Sequence, residues 1–218
     1  MNPAAIDGPR IEPGSGQVRR LVVFLHGYGA DGNDLIDIGR AWSKLLPDTA
    51  FVSPHAPYPC DQSPYGRQWF PLSSGDAALL REGAQSAAPI LDAFLDGELA
   101  RYAIPAAGLA LVGFSQGTMM ALQVGPRCAV QLAGIVGYSG LLPGPEHLKA
   151  EAVTRPPVLL VHGDDDPVVP VAALHQAIAA LGDEAGFVTE WHVRSGLAHG
   201  IDQAGLALGA AFLKRSFA

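Results

Sequence analysis

Only two cysteines, Cys60 and Cys128, occur in 218 residues. Their separation matches no metal or redox spacing, and two ordinary thiols in a reducing compartment fit better than a disulfide framework. Charge is scarce as well: 16% of residues are charged, and the formal balance is −7 at pH 7. An acidic chain of this kind argues against nucleic acid and anionic membrane surfaces as partners. Apolar residues reach 49%, yet no uninterrupted apolar run approaches the roughly 18 residues of a membrane helix, so no integral membrane segment is expected. The opening residues Met1-Asn2-Pro3-Ala4-Ala5-Ile6-Asp7-Gly8 lack the basic and apolar regions of a secretory signal, and the expected location is cytoplasmic. No internal repeat and no linker-like stretch divides the chain. These absences leave a globular protein large enough to bury its own core. A single domain over residues 20–218 is expected, preceded by a Gly-, Pro- and Ser-rich extension, residues 1–19, with at most one edge strand near 9–13.

Short apolar runs alternate with longer helical patterns. Strands are expected at 21–25, 50–53, 109–114, 132–138, 158–161 and 187–193, and helices at 35–46, 77–100, 116–124, 171–181 and 203–217. Gly83, Pro89 and Gly97 interrupt the second helix, which is expected to bend or split. Near-continuous apolar strands suit a sheet covered on both faces. The alternation implies an α/β fold with a mostly parallel central sheet and helices on both faces. Ligands in such folds sit beyond the carboxyl ends of the strands.

The segments beyond those ends carry unusual chemistry. Gly113-Phe114-Ser115-Gln116-Gly117 joins an apolar strand to a helical run. The bare Gly-x-Ser-x-Gly pattern is weak, but between a strand and a helix it is the nucleophile elbow of serine hydrolases. A serine hydroxyl needs a base to take its proton, and the base needs a carboxylate on its other nitrogen. In the elbow-bearing hydrolases the chain order is serine, acid, histidine. Of the histidines after Ser115, His147 and His162 precede the acid cluster, His175 falls in a helix and His192 in a strand. His199 lies in a Gly-flanked loop after the last strand and is the expected base. The acid belongs to Asp164-Asp165-Asp166-Pro167, although spacing alone does not choose among the three. A polar turn capping the next helix is the plainer reading of that cluster. A metal site is disfavoured, because adjacent aspartates point apart and no second ligand group stands at a suitable spacing. The backbone N–H of Gln116 would supply one oxyanion donor, and the loop His26-Gly27-Tyr28-Gly29 another. That loop lacks the longer glycine fingerprint of a phosphate site, and His26 itself reads as structural.

Five segments together resemble the phospholipase/carboxylesterase family, which includes the acyl-protein thioesterases. They are Phe24-Leu25-His26-Gly27-Tyr28-Gly29, Ser53-Pro54-His55-Ala56-Pro57, the elbow, His162-Gly163-Asp164-Asp165-Asp166-Pro167-Val168-Val169-Pro170, and the His199 loop. The resemblance implies an α/β-hydrolase fold without a separate cap domain. It places the acid at Asp166, makes Asp164 a turn residue, leaves Asp165 at a variable position, and assigns the second oxyanion donor to the Leu25 N–H. It also pairs Trp69 and Phe70 near the active site. The alternative for that pair is core packing.

Only about 19 residues separate 138 from 158, too few for a cap domain, so the site should be shallow and open. Leu141, Leu142, Val168 and Leu197 come after strands at the same end and are expected, with Trp69 and Phe70, to line the substrate groove. Met119 and Met120 are expected in the core. The sequence thus points to a serine carboxylic-ester hydrolase acting on a small acyl ester or thioester, with no metal or organic cofactor. Acyl-thioesterase and lysophospholipase activities use the same mechanism and stay open. A non-catalytic ligand-binding protein on this fold is the alternative of another class. A homodimer is compatible with the sequence.

Overall fold

The computed structural model describes residues 6–72 and 75–218; Met1 to Ala5 of the expected extension lie outside the described residues. In chain order the first elements are β1 (Arg10–Ile11), β2 (Arg20–Leu25), α1 (Gly32–Trp42), β3 (Thr49–Val52), β4 (Tyr58–Pro59), β5 (Arg67–Gln68) and α2 (Ala77–Tyr102). They are followed by β6 (Leu109–Phe114), α3 (Gln116–Val124), β7 (Gly134–Tyr138), α4 (Pro145–Glu151), β8 (Val158–Gly163), α5 (Ala172–Ile178), β9 (Thr189–Arg194) and α6 (Gln203–Ser216). The main sheet has the order β1-β3-β2-β6-β7-β8-β9. All its pairings are parallel except β1 with β3.

Strand pleating explains how the near-continuous apolar runs are used. Leu21, Val23 and Leu25 of β2 enter one core, while Val22 and Phe24 enter the other. The first core is closed by side chains of α2, α3, α4 and α5, among them Leu91, Met119, Met120, Leu148 and Leu174. The second is closed by α1 and α6 through Leu35, Ile36, Trp42, Phe212 and Leu213. All nine residues of α3 are buried, so this helix is enclosed on every side.

Two expectations change. The long helix α2 neither splits nor ends at Pro89 but runs as one element of 26 residues. Its buried face, from Ala84 to Leu95, supplies packing that outweighs the lost backbone bond. At Gly83 the missing side chain admits the Phe70 ring, since a Cβ there would lie 2.5 Å from Phe70 Cδ2. The expected helix at 171–181 is α5 followed by a π-type turn over Ala179–Glu184. The β4–β5 hairpin and α4 were not anticipated.

Between Tyr138 and Val158 the chain holds only the seven-residue α4 and its loops, so no cap domain is inserted at that position. The connection from β2 runs through α1 to β3 on one side. The strand on the other side of β2 is β6, reached through α2 on the opposite face. Connections diverge at the carboxyl ends of β2 and β6, the crevice where open α/β sheets bind ligands.

Candidate active site

Ser115 stands in that crevice, between the end of β6 and the start of α3. Its φ of 53° lies in the left-handed region, which is strained for a non-glycine residue. The strain is held by close packing on both sides. A Cβ at Gly113 would collide with the Gly117 carbonyl and the Thr118 N–H, and one at Gly117 with the Leu25 carbonyl. Only glycine lets α3 fold back against β6 and the end of β2. The Ser115 N–H donates to Tyr138 O at 2.9 Å, tying the elbow to β7. Because Gln116 opens α3, its backbone N–H has no partner within the helix, and the residue sits at the same end of the sheet as the end of β2.

The acid and base expected from the sequence meet. Asp166 Oδ2 lies 2.7 Å from His199 Nδ1, and Asp166 Oδ1 accepts from the Val168 and Val169 amides at 2.8 and 2.9 Å. Burial alone would raise this carboxyl, but the His199 bond and the two amides outweigh it and hold the pKa below the ordinary aspartate value. Asp166 is therefore a carboxylate, and His199 presents Nδ1–H to it. That leaves Nε2 as the free ring nitrogen. The Phe114 ring packs 4.9 Å from the His199 ring, so the residue before the serine supports the face of the imidazole. Ser115 Oγ makes no hydrogen bond to another described residue; serine–histidine contacts are often long before substrate binds.

Neighbouring groups have structural partners. Asp164 Oδ1 accepts from Gly196 N at 2.6 Å and ties the acid turn to the loop before His199. Asp165 points outward, and its amide donates to Leu197 O. His162 Nε2 donates to Val169 O at 2.8 Å and lies 3.4 Å from Asp166 Oδ2, fixing the turn whose amides hold the acid. Ser139 has a φ of 45°, and its hydroxyl donates to Gly200 O at 3.2 Å, so β7 also secures the histidine loop. His175 and His192 remain on α5 and β9, away from Asp166.

The aromatic pair sits deeper than expected. Trp69 and Phe70 are 0% and 1% exposed, and Leu142 is 5% exposed. Trp69 Nε1 donates to His26 O at 3.0 Å, and Phe70 occupies the space beside Gly83. These three residues belong to the core beneath the site rather than to its surface. Leu141 and Leu197 are partly exposed and Val168 is 63% exposed, so they remain available to a substrate.

The polar anchor of this region is the Gln116 side chain. Its Oε1 accepts from Trp69 N at 2.9 Å and its Nε2 donates to Phe70 O at 2.7 Å. His26 is the second anchor. Its Nε2 accepts from Ala56 N at 3.0 Å, so Nδ1 carries the proton and donates to Gly27 O at 2.8 Å. Burial pushes His26 down to about 4 despite the Gly27 carbonyl, which favours the charged form. The loop after β2 is thus clamped by a neutral histidine. Asp31 caps α1 through Asn33 N at 2.8 Å, and His55 Nδ1 accepts from Gly32 N at 3.1 Å. The structural reading of His26 agrees with these bonds, while local sequence gives no signal for the side-chain roles of Gln116 or Ser139, because their partners are distant in the chain.

Among the described residues no cluster of three or more His, Cys, Asp or Glu side chains could hold a metal ion, and no helix is long and apolar enough to cross a membrane. Cys60 and Cys128 are both free thiols.

Comparison with known proteins gives a consistent picture. The phospholipase/carboxylesterase family model matches residues 6–217. Acyl-protein thioesterase 1 of Gibberella zeae is 28% identical over 208 residues, covering 88% of each chain. Esterase YpfH of Escherichia coli is 31% identical over 192 residues, covering 84% of this chain and 77% of that protein. The crystal structure of esterase PE8 superposes with a TM-score of 0.94 at 44% identity, covering 97% of this chain and 99% of that one. The fold is that of an α/β-hydrolase.

Proposed function

The chain belongs to the phospholipase/carboxylesterase family, and from that premise we propose that it is a serine carboxylic-ester hydrolase working through an acyl-enzyme. Ser115 is the nucleophile, His199 the base and Asp166 the acid. The observation that carries this reading is the strained serine at the β6–α3 junction, with the Asp166–His199 pair at 2.7 Å packed on the adjoining Phe114.

In this mechanism Ser115 Oγ attacks the ester carbonyl and passes its proton to His199 Nε2. The imidazolium is stabilised by the Asp166 carboxylate, which two backbone amides already orient. The N–H groups of Leu25 and Gln116 bind the developing oxyanion. His199 then protonates the departing alcohol. A water molecule, deprotonated by the same nitrogen, releases the acid and restores Ser115. No step calls for a metal or an organic cofactor. Leu141, Val168 and Leu197 line the acyl side in this reading, and the enzyme acts in the cytoplasm on a small acyl ester.

A thioester is the second substrate class. The Gibberella zeae relative is named an acyl-protein thioesterase, and the same attack serves both leaving groups. Hydrolysis of matched p-nitrophenyl esters and acyl thioesters, measured side by side, ranks them. The mechanism is tested with Ser115→Ala, which should lower kcat by on the order of 10⁶ with the fold intact, and with a fluorophosphonate, which should label Ser115 stoichiometrically. Near-normal turnover in the variant, or labelling elsewhere, would refute it. An inert, unlabelled protein would favour the non-catalytic binding role.

A further inference from the structure

Partly exposed apolar side chains lie on both faces of the sheet near its carboxyl end. Leu141, on the acyl side, packs on the α2–α3 face. On the opposite face a pocket of about 250 Å³ is lined by Asp34, Leu35, Ile38, Phe114, Ile201 and Leu206. Ile38, Phe114, Ile201 and Leu206 pack against the α1–α6 core, yet all four stay partly exposed. An apolar cavity of roughly 150 Å³ is enough to take benzene, so this one has room for an alkyl chain or a single ring.

The pocket's position relative to the base indicates which part of an ester it would hold. Phe114 forms its wall and at the same time packs on the His199 ring. Ile201, two residues beyond His199, forms another part. The imidazolium must deliver its proton to the leaving oxygen, so the alcohol half of the ester has to lie on the histidine side of Ser115. The acyl half then extends toward the other face of the sheet. Asp34 is the one charged residue in the lining and would oppose an anionic alcohol.

We propose that the pocket between α1 and α6 is a leaving-group subsite that takes the hydrophobic alcohol portion of an uncharged ester. The inference rests on the assignment of Ser115 and His199 above. The subsite would make this an enzyme that selects on both halves of the ester, with the alcohol read by Ile38, Ile201 and Leu206.

The test is a series of unbranched alkyl acetates from ethyl to hexyl. Their alcohols have nearly equal acidity, and every member gives the same acetyl-enzyme, so kcat/KM reports acylation alone. A fully buried methylene is worth about fourfold. With partial burial, kcat/KM should rise at least tenfold from ethyl to hexyl acetate in the native protein. Ile38→Trp, which fills the pocket, should reduce that ratio to below about threefold, while the ethyl butanoate to ethyl acetate ratio, which reads the acyl side, moves less than twofold. If Ile38→Trp does not fold, Leu206→Phe serves for the same comparison. A flat alcohol profile in the native protein overturns the proposal, as does an equal loss on both series in the variants. Fluorophosphonate labelling of Ser115 keeps the two readings apart: labelled enzyme with a flat profile loses only the subsite, whereas unlabelled, inactive protein loses the serine-esterase assignment itself.

Discussion

Acidification from pH 7 to pH 4 should destabilise this protein through His26. Its ring is fully buried, with Nδ1–H on the Gly27 carbonyl and Nε2 accepting from the Ala56 N–H. Protonation would turn Nε2 into a donor facing another donor, so the folded state keeps the ring neutral. Its pKa is about 4 in the fold against 6.5 for the free side chain. Above pH 6.5 both states are neutral and the clamp contributes fully. Between about 6.5 and 4 the unfolded chain takes up a proton that the native protein refuses, so stability falls with falling pH. Below about 4 both states are charged and the loss levels off. At 1.36 kcal/mol per pKa unit, the displacement amounts to about 3 kcal/mol between pH 7 and pH 4.

Urea unfolding of the native protein and of His26→Gln, run in parallel from pH 7 to pH 4, isolates this contribution. Glutamine offers Ala56 an acceptor but binds no proton. All other titrating groups are common to both proteins and cancel in the difference. At pH 7 the variant should be less stable by about 1–2 kcal/mol, the cost of weakened buried hydrogen bonds. That advantage of the native protein should shrink by about 3 kcal/mol as the pH reaches 4, and reverse. A difference that stays constant to within about 0.5 kcal/mol, the usual limit of additivity, would refute the reasoning.

Asp166→Asn should lower kcat/KM by about 10⁴ at pH 7, because an amide facing Nδ1 favours the tautomer that leaves no basic nitrogen toward Ser115. Asp165→Asn should stay within about twofold, since Asp165 is exposed and uses only its backbone N–H; steady-state ester hydrolysis compares the two, and an equal or larger loss at Asp165 would move the acid. In α2, Gly97→Ala adds a methyl to open space inside a helix and should raise stability by about 0.5–1 kcal/mol. Gly83→Ala in the same helix would force Phe70 aside and should cost about 1–3 kcal/mol. Thermal unfolding in which the two substitutions act alike would contradict the packing described for that helix.

The parallel sheet was legible because each inner strand is buried on both faces. Runs such as Leu109-Ala110-Leu111-Val112 therefore have no polar alternation to blur them. Elements that depend on few residues were not legible. The β4–β5 hairpin has strands of two residues each, too short for any period, and it is held partly by Arg67 donating to the Ala56 and Pro57 carbonyls. The continuity of α2 through Pro89 was hidden for another reason. Local propensity counts the missing hydrogen bond but not the Ile90, Leu91, Phe94 and Leu95 side chains that tertiary packing places on one face.

The candidate site divides along the same line. Ser115 and His199 could be picked out because each comes after a strand of the sheet and chain order restricts the choices, whereas within Asp164-Asp165-Asp166 only the family resemblance pointed to Asp166. The surroundings depend instead on contacts between distant residues, such as Gln116 with Trp69 across 47 positions and His26 with Ala56 across 30. No local pattern encodes such pairs, and for that reason the sequence left the aromatic pair open between lining the groove and packing in the core. Once Gln116 is seen to hold the Trp69 amide and the Phe70 carbonyl, the pair must face inward, because the carboxamide that binds it is itself buried at the start of α3. The residue whose backbone N–H is proposed to receive the oxyanion thereby also anchors the segment flanking the acyl side.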